Sequence, residues 1–127
     1  MKIAAGDYLV KNHSSAGGTT KVDKNSIFRS DNATFTDKAV LENNGETILG
    51  ALNGWNSAEV RNNRKLTVNG NTKFGGRFIN NANAKLVGTA DIDGNMQQSQ
   101  GARIIANNVN VKGNMPHLGY MEALENH

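Results

Sequence analysis

Apolar and polar residues alternate in short runs along most of the chain. Leu66 and Val68 flank Thr67, Ala90 and Ile92 flank Asp91, and Val109 and Val111 flank Asn110. A period of two predicts β-strands that turn one side chain inward and the next to water. The runs are a few residues long and end in Gly or Asn, as at Asn44-Gly45, Asn53-Gly54 and Asn69-Gly70. Both residue types tolerate left-handed backbone, so these positions are read as corners. Asn-Gly also suits a two-residue hairpin, which makes antiparallel strands the main structural rival.

Internal repetition argues against hairpins. Ala84-Lys85-Leu86-Val87-Gly88-Thr89, continuing as Ala90 to Met96, matches Ala102-Arg103-Ile104-Ile105-Ala106-Asn107, continuing as Val109 to Met115 after one extra residue, Asn108. The offset is 18 residues in the first half and 19 in the second. A looser copy aligns Leu66 to Asn71 with Ala90 to Asn95 at an offset of 24, and Ala58-Glu59-Val60 with Ala84-Lys85-Leu86. Such periods belong to leucine-rich repeats or β-solenoids, and the fixed Leu positions of the former are missing. Stacking copy on copy puts Ile92 beside Val111 and Asn95 beside Asn114. Like side chains then lie about 4.8 Å apart, and Asn amides exchange hydrogen bonds between coils.

The expected fold is therefore all-β, a single-domain parallel β-helix (β-solenoid) of about four to five coils over residues 27–115, with irregular or capped ends. Residues 1–26 are read as an N-terminal arm or cap, with Ser14, Ser15, Gly17, Gly18, Thr19 and Thr20 mobile. Residues 116–127 are read as a C-terminal cap or docking tail. There Leu118, Met121 and Leu124 fall at i, i+3 and i+6, on one side of a short helix, with Tyr120 beside them. Capped ends are expected because open strand edges otherwise invite uncontrolled stacking.

Composition narrows the function more than it names one. The length of 127 residues suits one domain. Asn, at 20 residues, and Gly, at 14, give the ladders and corners their material, whereas Pro occurs once, at Pro116. Net charge is +3, and the densest basic group, Arg61, Arg64 and Lys65, is interleaved with Asn62 and Asn63. That pattern reads as a solvated face, so no nucleic-acid partner is expected. The absence of Cys excludes disulfides, thiolate metal sites and a cysteine nucleophile. No run approaches the roughly 18 apolar residues of a membrane span, so no membrane insertion is expected. The first residues, Met1 to Asp7, hold too short an apolar stretch for a signal peptide. Localisation stays open between an extracellular fibre or cell surface and a cytoplasmic filament.

Candidate chemistry is sparse. Asp91 and Asp93 lie two apart on one outward strand face, a spacing that suits a Ca²⁺ pair or an acid/base pair. Their expected counterparts, Asn110 and Lys112 in one copy and Thr67 and Asn69 in the other, vary as a solvated face varies. His13, His117 and His127 lack a second ligand at metal spacing and are read as exposed and unpaired. Gly17-Gly18-Thr19-Thr20-Lys21 lacks the Walker pattern. Catalytic, cofactor and metal residues are thus expected to be none, and the chain is expected not to be an enzyme. Trp55, following Asn53-Gly54, is the candidate contact for a partner or glycan, since a corner indole stacks on a sugar ring or anchors a partner.

The phrases Lys65 to Asn71 and Phe78 to Asn95 resemble filamentous-haemagglutinin-type adhesin repeats, phage tail-fibre β-helices and the bactofilins, polymer-forming bacterial cytoskeletal β-helices. The resemblance covers roughly residues 35–115 and carries over no active site. It implies a bacterial or phage structural or adhesive module that associates with itself as a homo-oligomer, filament or fibre. Two other readings are weighed beside it. One is a carbohydrate-binding or carbohydrate-cleaving β-helix, with Trp55 and the outward polar ladder meeting a cell-surface glycan. The other is a small immunity-type protein that binds a protein partner one to one.

Overall fold

The computed structural model describes residues 2–3, 6–55, 57–112 and 120–123. Their fifteen strands wind as a parallel β-solenoid. The first coil holds β1 (Lys2–Ile3) and β2 (Gly6–Ala16), and the second β3 (Thr19–Val22) and β4 (Ser26–Thr36). The third holds β5 (Val40–Asn43), β6 (Glu46–Leu49) and β7 (Leu52–Gly54). The fourth holds β8 (Glu59–Asn62), β9 (Lys65–Val68) and β10 (Thr72–Phe74). The fifth holds β11 (Arg77–Asn80) and β12 (Asn83–Ile92), the sixth β13 (Met96–Gln98) and β14 (Arg103–Val111). A further strand, β15 (Tyr120–Ala123), begins the next coil.

Each coil passes through three lanes. The first is the six-stranded sheet β1-β3-β5-β8-β11-β13. The second and third share a nine-stranded sheet, in which β2, β4, β12 and β14 run through both lanes while β6/β7 and β9/β10 take one lane each. Every pairing is parallel, so the hairpin alternative falls, and Ile92 does lie beside Val111.

Three expectations are corrected. The coils number six rather than four or five, because the described residues before position 27 also coil. β2 pairs with β4 from Gly6↔Ser26 to Ala16↔Thr36, and Thr19 and Thr20 pair with Val40 and Leu41. Main-chain hydrogen bonds are indifferent to the Ser/Gly/Thr composition that suggested mobility. Leu66 pairs with Ala84 and not with Ala90, which lies beside Thr72. The true offset is one coil; an offset of 24 jumps from one lane to the next. Finally, Tyr120 and Met121 lie in a strand, β15, in register with Arg103 and Ile104, and not in a helix. Leu118 and Leu124 fall outside the described residues, as does Asn114.

Inward positions form columns. In the second lane Phe28, Thr47, Leu66, Ala84 and Ile104 are stacked in register. All five are buried. In the third lane Phe35, Gly54, Phe74 and Ile92 follow one another. Gly54 is required there because a Cβ would enter the Phe74 ring, so a small residue between two large ones lets both rings fill the axis.

The corners work differently from expectation. Gly45, Gly54 and Gly70 do not adopt positive φ. Most positive-φ residues lie instead where the third lane returns to the first, at Gly17, Gly18, Asp37, Lys38 and Ser57, with Gly6 at the start of β2 and Gly101 between β13 and β14 as the others among the described residues. Gly70 is needed for closeness: a Cβ on it would overlap the carbonyl oxygen of Gly50 in the coil before. Corner backbone is hydrogen-bonded from coil to coil as well, with Gly50 N–H donating to Ser30 O (2.8 Å) and Gly88 N–H to Gly70 O (3.1 Å).

Candidate functional site

The interior of the first lane carries a polar column. Ile3 and Val22 open it, and Asn43, Asn62, Asn80 and Gln98 continue it, in register and at most 1% exposed. Asn43 Nδ2 donates to Asn62 Oδ1 (2.9 Å), Asn62 Nδ2 to Asn80 Oδ1 (2.9 Å), and Asn80 Nδ2 to Gln98 Oε1 (3.1 Å). The same amides donate to backbone carbonyls at or beside the second-lane start one coil on: Lys65 O (2.7 Å), Asn83 O (2.6 Å) and Arg103 O (2.9 Å). The column thus ties successive coils and pins the corner between two lanes. A parallel outward column lies one residue on. Asn63 Nδ2 donates to Asn44 Oδ1 (2.8 Å), Asn81 Nδ2 to Asn63 Oδ1 (2.7 Å), and the Ser99 hydroxyl to Asn81 Oδ1. Donors point toward later coils in the buried column and toward earlier coils in the outward one. Sequence reading foresaw Asn ladders but placed one at Asn95 and Asn114. The signal that locates the real one is the Asn-Asn pair recurring at 43–44, 62–63 and 80–81.

Outward charges also match across coils. Lys21 meets Glu42 (3.7 Å), Lys65 meets Glu46 (3.7 Å), Arg77 meets Glu59 (3.5 Å) and Lys112 meets Asp93 (3.5 Å). The three exposed pairs contribute little to stability, roughly 0 to 1 kcal/mol each, whereas Glu59 is buried between Arg61 and Arg77. Opposite charges in register discourage slipped pairings. Asp91 accepts from Asn110 Nδ2 at 3.1 Å, and its neighbour on the earlier coil is Lys73 rather than Thr67. Both carboxylates of the candidate pair are therefore engaged between coils. No group of three or more His, Cys, Asp or Glu side chains suited to a metal occurs among the described residues.

His13 departs from its reading as exposed and unpaired. It is 8% exposed, its Nε2 lies 3.1 Å from Thr20 Oγ1, and its ring packs edge-on to Phe28 with centroids 5.0 Å apart. Burial, and secondarily the positive chain terminus, lower its pKa below the usual imidazole value. His117 and His127 lie outside the described residues.

Trp55 follows β7 and is 48% exposed, with its backbone N–H donating to Phe35 O at 3.1 Å. The next coil places Gly75 beside it: a Cβ there would stand 3.5 Å from Trp55 Cα and 3.7 Å from its Cβ. No side chain projects from that position over the indole. Tyr8 (38%) and Leu9 (76%) are the other exposed large apolar residues among those described, both on β2 in the first coil. Tyr8 covers Phe28, with ring centroids 5.8 Å apart. β2 pairs with β4 on one side and with no strand of the described residues on the other.

Two grooves indent the outer surface of the second lane. One, of about 470 Å³, is lined by Lys65, Thr67, Asn83, Lys85, Arg103 and Ile105, among others. The second, of about 400 Å³, includes Lys24, Ile27, Glu46 and Arg64 and shares Lys65 with the first. Of the three clustered basic residues, Arg61 turns instead to Glu59 in the first lane.

The fold defines the chain as a parallel β-solenoid with a buried amide ladder. Comparison with family models, with curated proteins and with solved structures finds no match.

Proposed function

We propose that the chain is a non-enzymatic structural or adhesive module that associates with itself end to end, as a filament or fibre component. The observation that carries this reading is the open edge of β2. Eleven residues of strand present main-chain donors and acceptors without a neighbouring strand among the described residues, beside a half-exposed Tyr8 at the end of the core. Such an edge is a template for a further strand. The in-register core and amide column supply the stiffness that a load-bearing rod needs. In family terms this is the role of adhesin repeats, tail-fibre β-helices or bactofilins. Electron microscopy of the purified protein across a concentration series tests it. Elongated particles that lengthen with concentration support the proposal; compact single particles at every concentration refute it.

A second reading has its own observation. Trp55, left uncovered beside Gly75, offers an aromatic face of the kind that stacks on a sugar ring. Binding on a glycan array that is lost in Trp55→Ala supports this reading, and silence across the array removes it.

A further inference from the structure

The outer surface of the second lane concentrates charge in a way that the net +3 conceals. Among the described residues the two adjoining grooves are lined by five cations, Lys24, Arg64, Lys65, Lys85 and Arg103, against one carboxylate, Glu46, and β15 sets Glu122 in register with Ile105 at the far end. Glu46 is already paired with Lys65 at 3.7 Å, Arg64 donates to the Lys24 carbonyl, and Arg103 is engaged as well, each keeping its charge. The cations follow the solenoid axis from coil to coil. Lys65, Asn83 and Arg103 are consecutive members of one in-register column, and Thr67, Lys85 and Ile105 form the column next to it. With coils about 4.8 Å apart, Lys65 and Arg103 stand roughly 10 Å apart along the axis, with Lys85 on the coil between them. A rigid backbone holds these charges in line, so a partner meets them without ordering a loop.

We propose that this strip binds an extended acidic polysaccharide, a chain of carboxylated or sulfated sugars lying along the solenoid axis. Two features select that class. The cations repeat on successive coils, matching a polymer with regularly repeated acids better than a single compact anion. Thr67 and Asn83 supply neutral hydrogen-bonding groups between them for sugar hydroxyls, and the aliphatic Ile105 supplies an apolar surface for a ring face. The column of Lys65, Asn83 and Arg103 continues to Tyr120 in β15, so single-stranded nucleic acid, which stacks its bases on aromatic rings, is the comparator that the test must exclude. The site is separate from Trp55, which follows a third-lane strand, and it does not depend on self-association.

The test is binding of the purified protein to polygalacturonate and to dextran sulfate, with neutral dextran and a single-stranded oligonucleotide as comparators. Expected are binding to the two acidic glycans and none to neutral dextran. Affinity should fall steeply with salt, because the screening length shortens from about 10 Å at 0.1 M to about 3 Å at 1 M. The double variant Lys85→Glu/Arg103→Glu should weaken binding at least about tenfold, while Lys73→Glu/Lys112→Glu, the same charge change on the third lane, leaves it within about twofold. Unchanged circular dichroism and melting midpoint certify that both variants are folded; if the first variant is not, Lys85→Gln alone serves, with a smaller expected loss. No binding to either acidic glycan at low salt overturns the proposal. Equal losses in the two double variants overturn it as well, since net charge alone would then explain the affinity. An oligonucleotide bound as tightly as the glycans replaces it with a general polyanion surface.

Discussion

Asn62 donates to Asn80 Oδ1 in the coil above and to the backbone of Asn83, 2.6 Å away, with a single side-chain amide. The same amide accepts from Asn43 below. One residue therefore joins three coils and two lanes, and its removal leaves buried partners unsatisfied on both sides.

Asn62→Ala is expected to cost about 3 kcal/mol, from the orphaned polar groups and the small cavity together. Urea denaturation compared with the natural chain measures it. Asn62→Asp keeps the shape but places a buried carboxylate against acceptors, which raises its folded pKa. Its deficit should accordingly be largest at neutral pH and shrink as the carboxyl is protonated in acid.

Two glycines separate closeness from conformation. Gly70→Ala drives a Cβ into the Gly50 carbonyl and should cost at least about 2 kcal/mol. Gly18→Ala has φ of +74° with nothing within 4 Å, so only the left-handed penalty applies, about 1 kcal/mol. Melting midpoints of the two variants, measured side by side, should keep that order.

His13 makes stability depend on pH with a definite sign. Its folded pKa is lowered, so the neutral ring belongs to the folded state and protonation favours unfolding. The associated stability is fully present above the ordinary value of 6.5 and is lost as pH falls from there toward the folded pKa. The melting midpoint should drop between pH 7.5 and 5.5, and His13→Gln, which still reaches Thr20, should flatten that part of the curve.

Tyr8→Lys places a charge at the end of the core, where a second molecule would stack. The expected result is loss of elongated particles by electron microscopy, with a β-rich circular dichroism spectrum retained. Filaments of undiminished length in this variant would move the joint away from β2.

Trp55→Ala should change stability by no more than about 1 kcal/mol, because the side chain is half exposed and no Cβ of the following coil packs on it. A larger loss by chemical denaturation would mean that the indole seals the core rather than waiting for a ligand.

Parallel coiling was legible because Ala84 to Met96 and Ala102 to Met115 repeat nearly residue for residue, although the first half pairs two residues out of the expected alignment, with Ala84 beside Ile104 rather than Ala102. The earlier coils were misaligned because two lanes carry similar phrases: Leu66-Thr67-Val68 in the second resembles Ala90-Asp91-Ile92 at the third, and only pairing tells them apart. Residues 6–22 escaped notice because strands take their order from the neighbour they pair with, and Ser14 beside Thr34 needs no apolar signal of its own. Three apolar residues spaced by three suggested a helix at Leu118 to Leu124, yet Tyr120 to Ala123 follow β14 as another strand. The burial of His13 had no sequence signal, since it depends on Phe28 and Phe35, which sit in the second and third lanes of the following coil. The cationic strip was invisible for a related reason: Lys24, Lys65, Lys85 and Arg103 are scattered in sequence and become neighbours only through winding.

The rungs of the amide column recur at separations of 19, 18 and 18 residues, so the chain counts its own length in whole turns. Duplicating or deleting one turn in frame changes the rod by about 4.8 Å and leaves every remaining face intact. A single residue inserted in the middle of one lane exchanges inside for outside until a corner absorbs it, as the irregularity between Leu86 and Thr89 does for the extra residue there. A gene for such a rod is therefore free to drift in length by jumps of a turn while remaining intolerant of small frameshift-free insertions within a lane, and molecules of different reach descend from one template without a new fold.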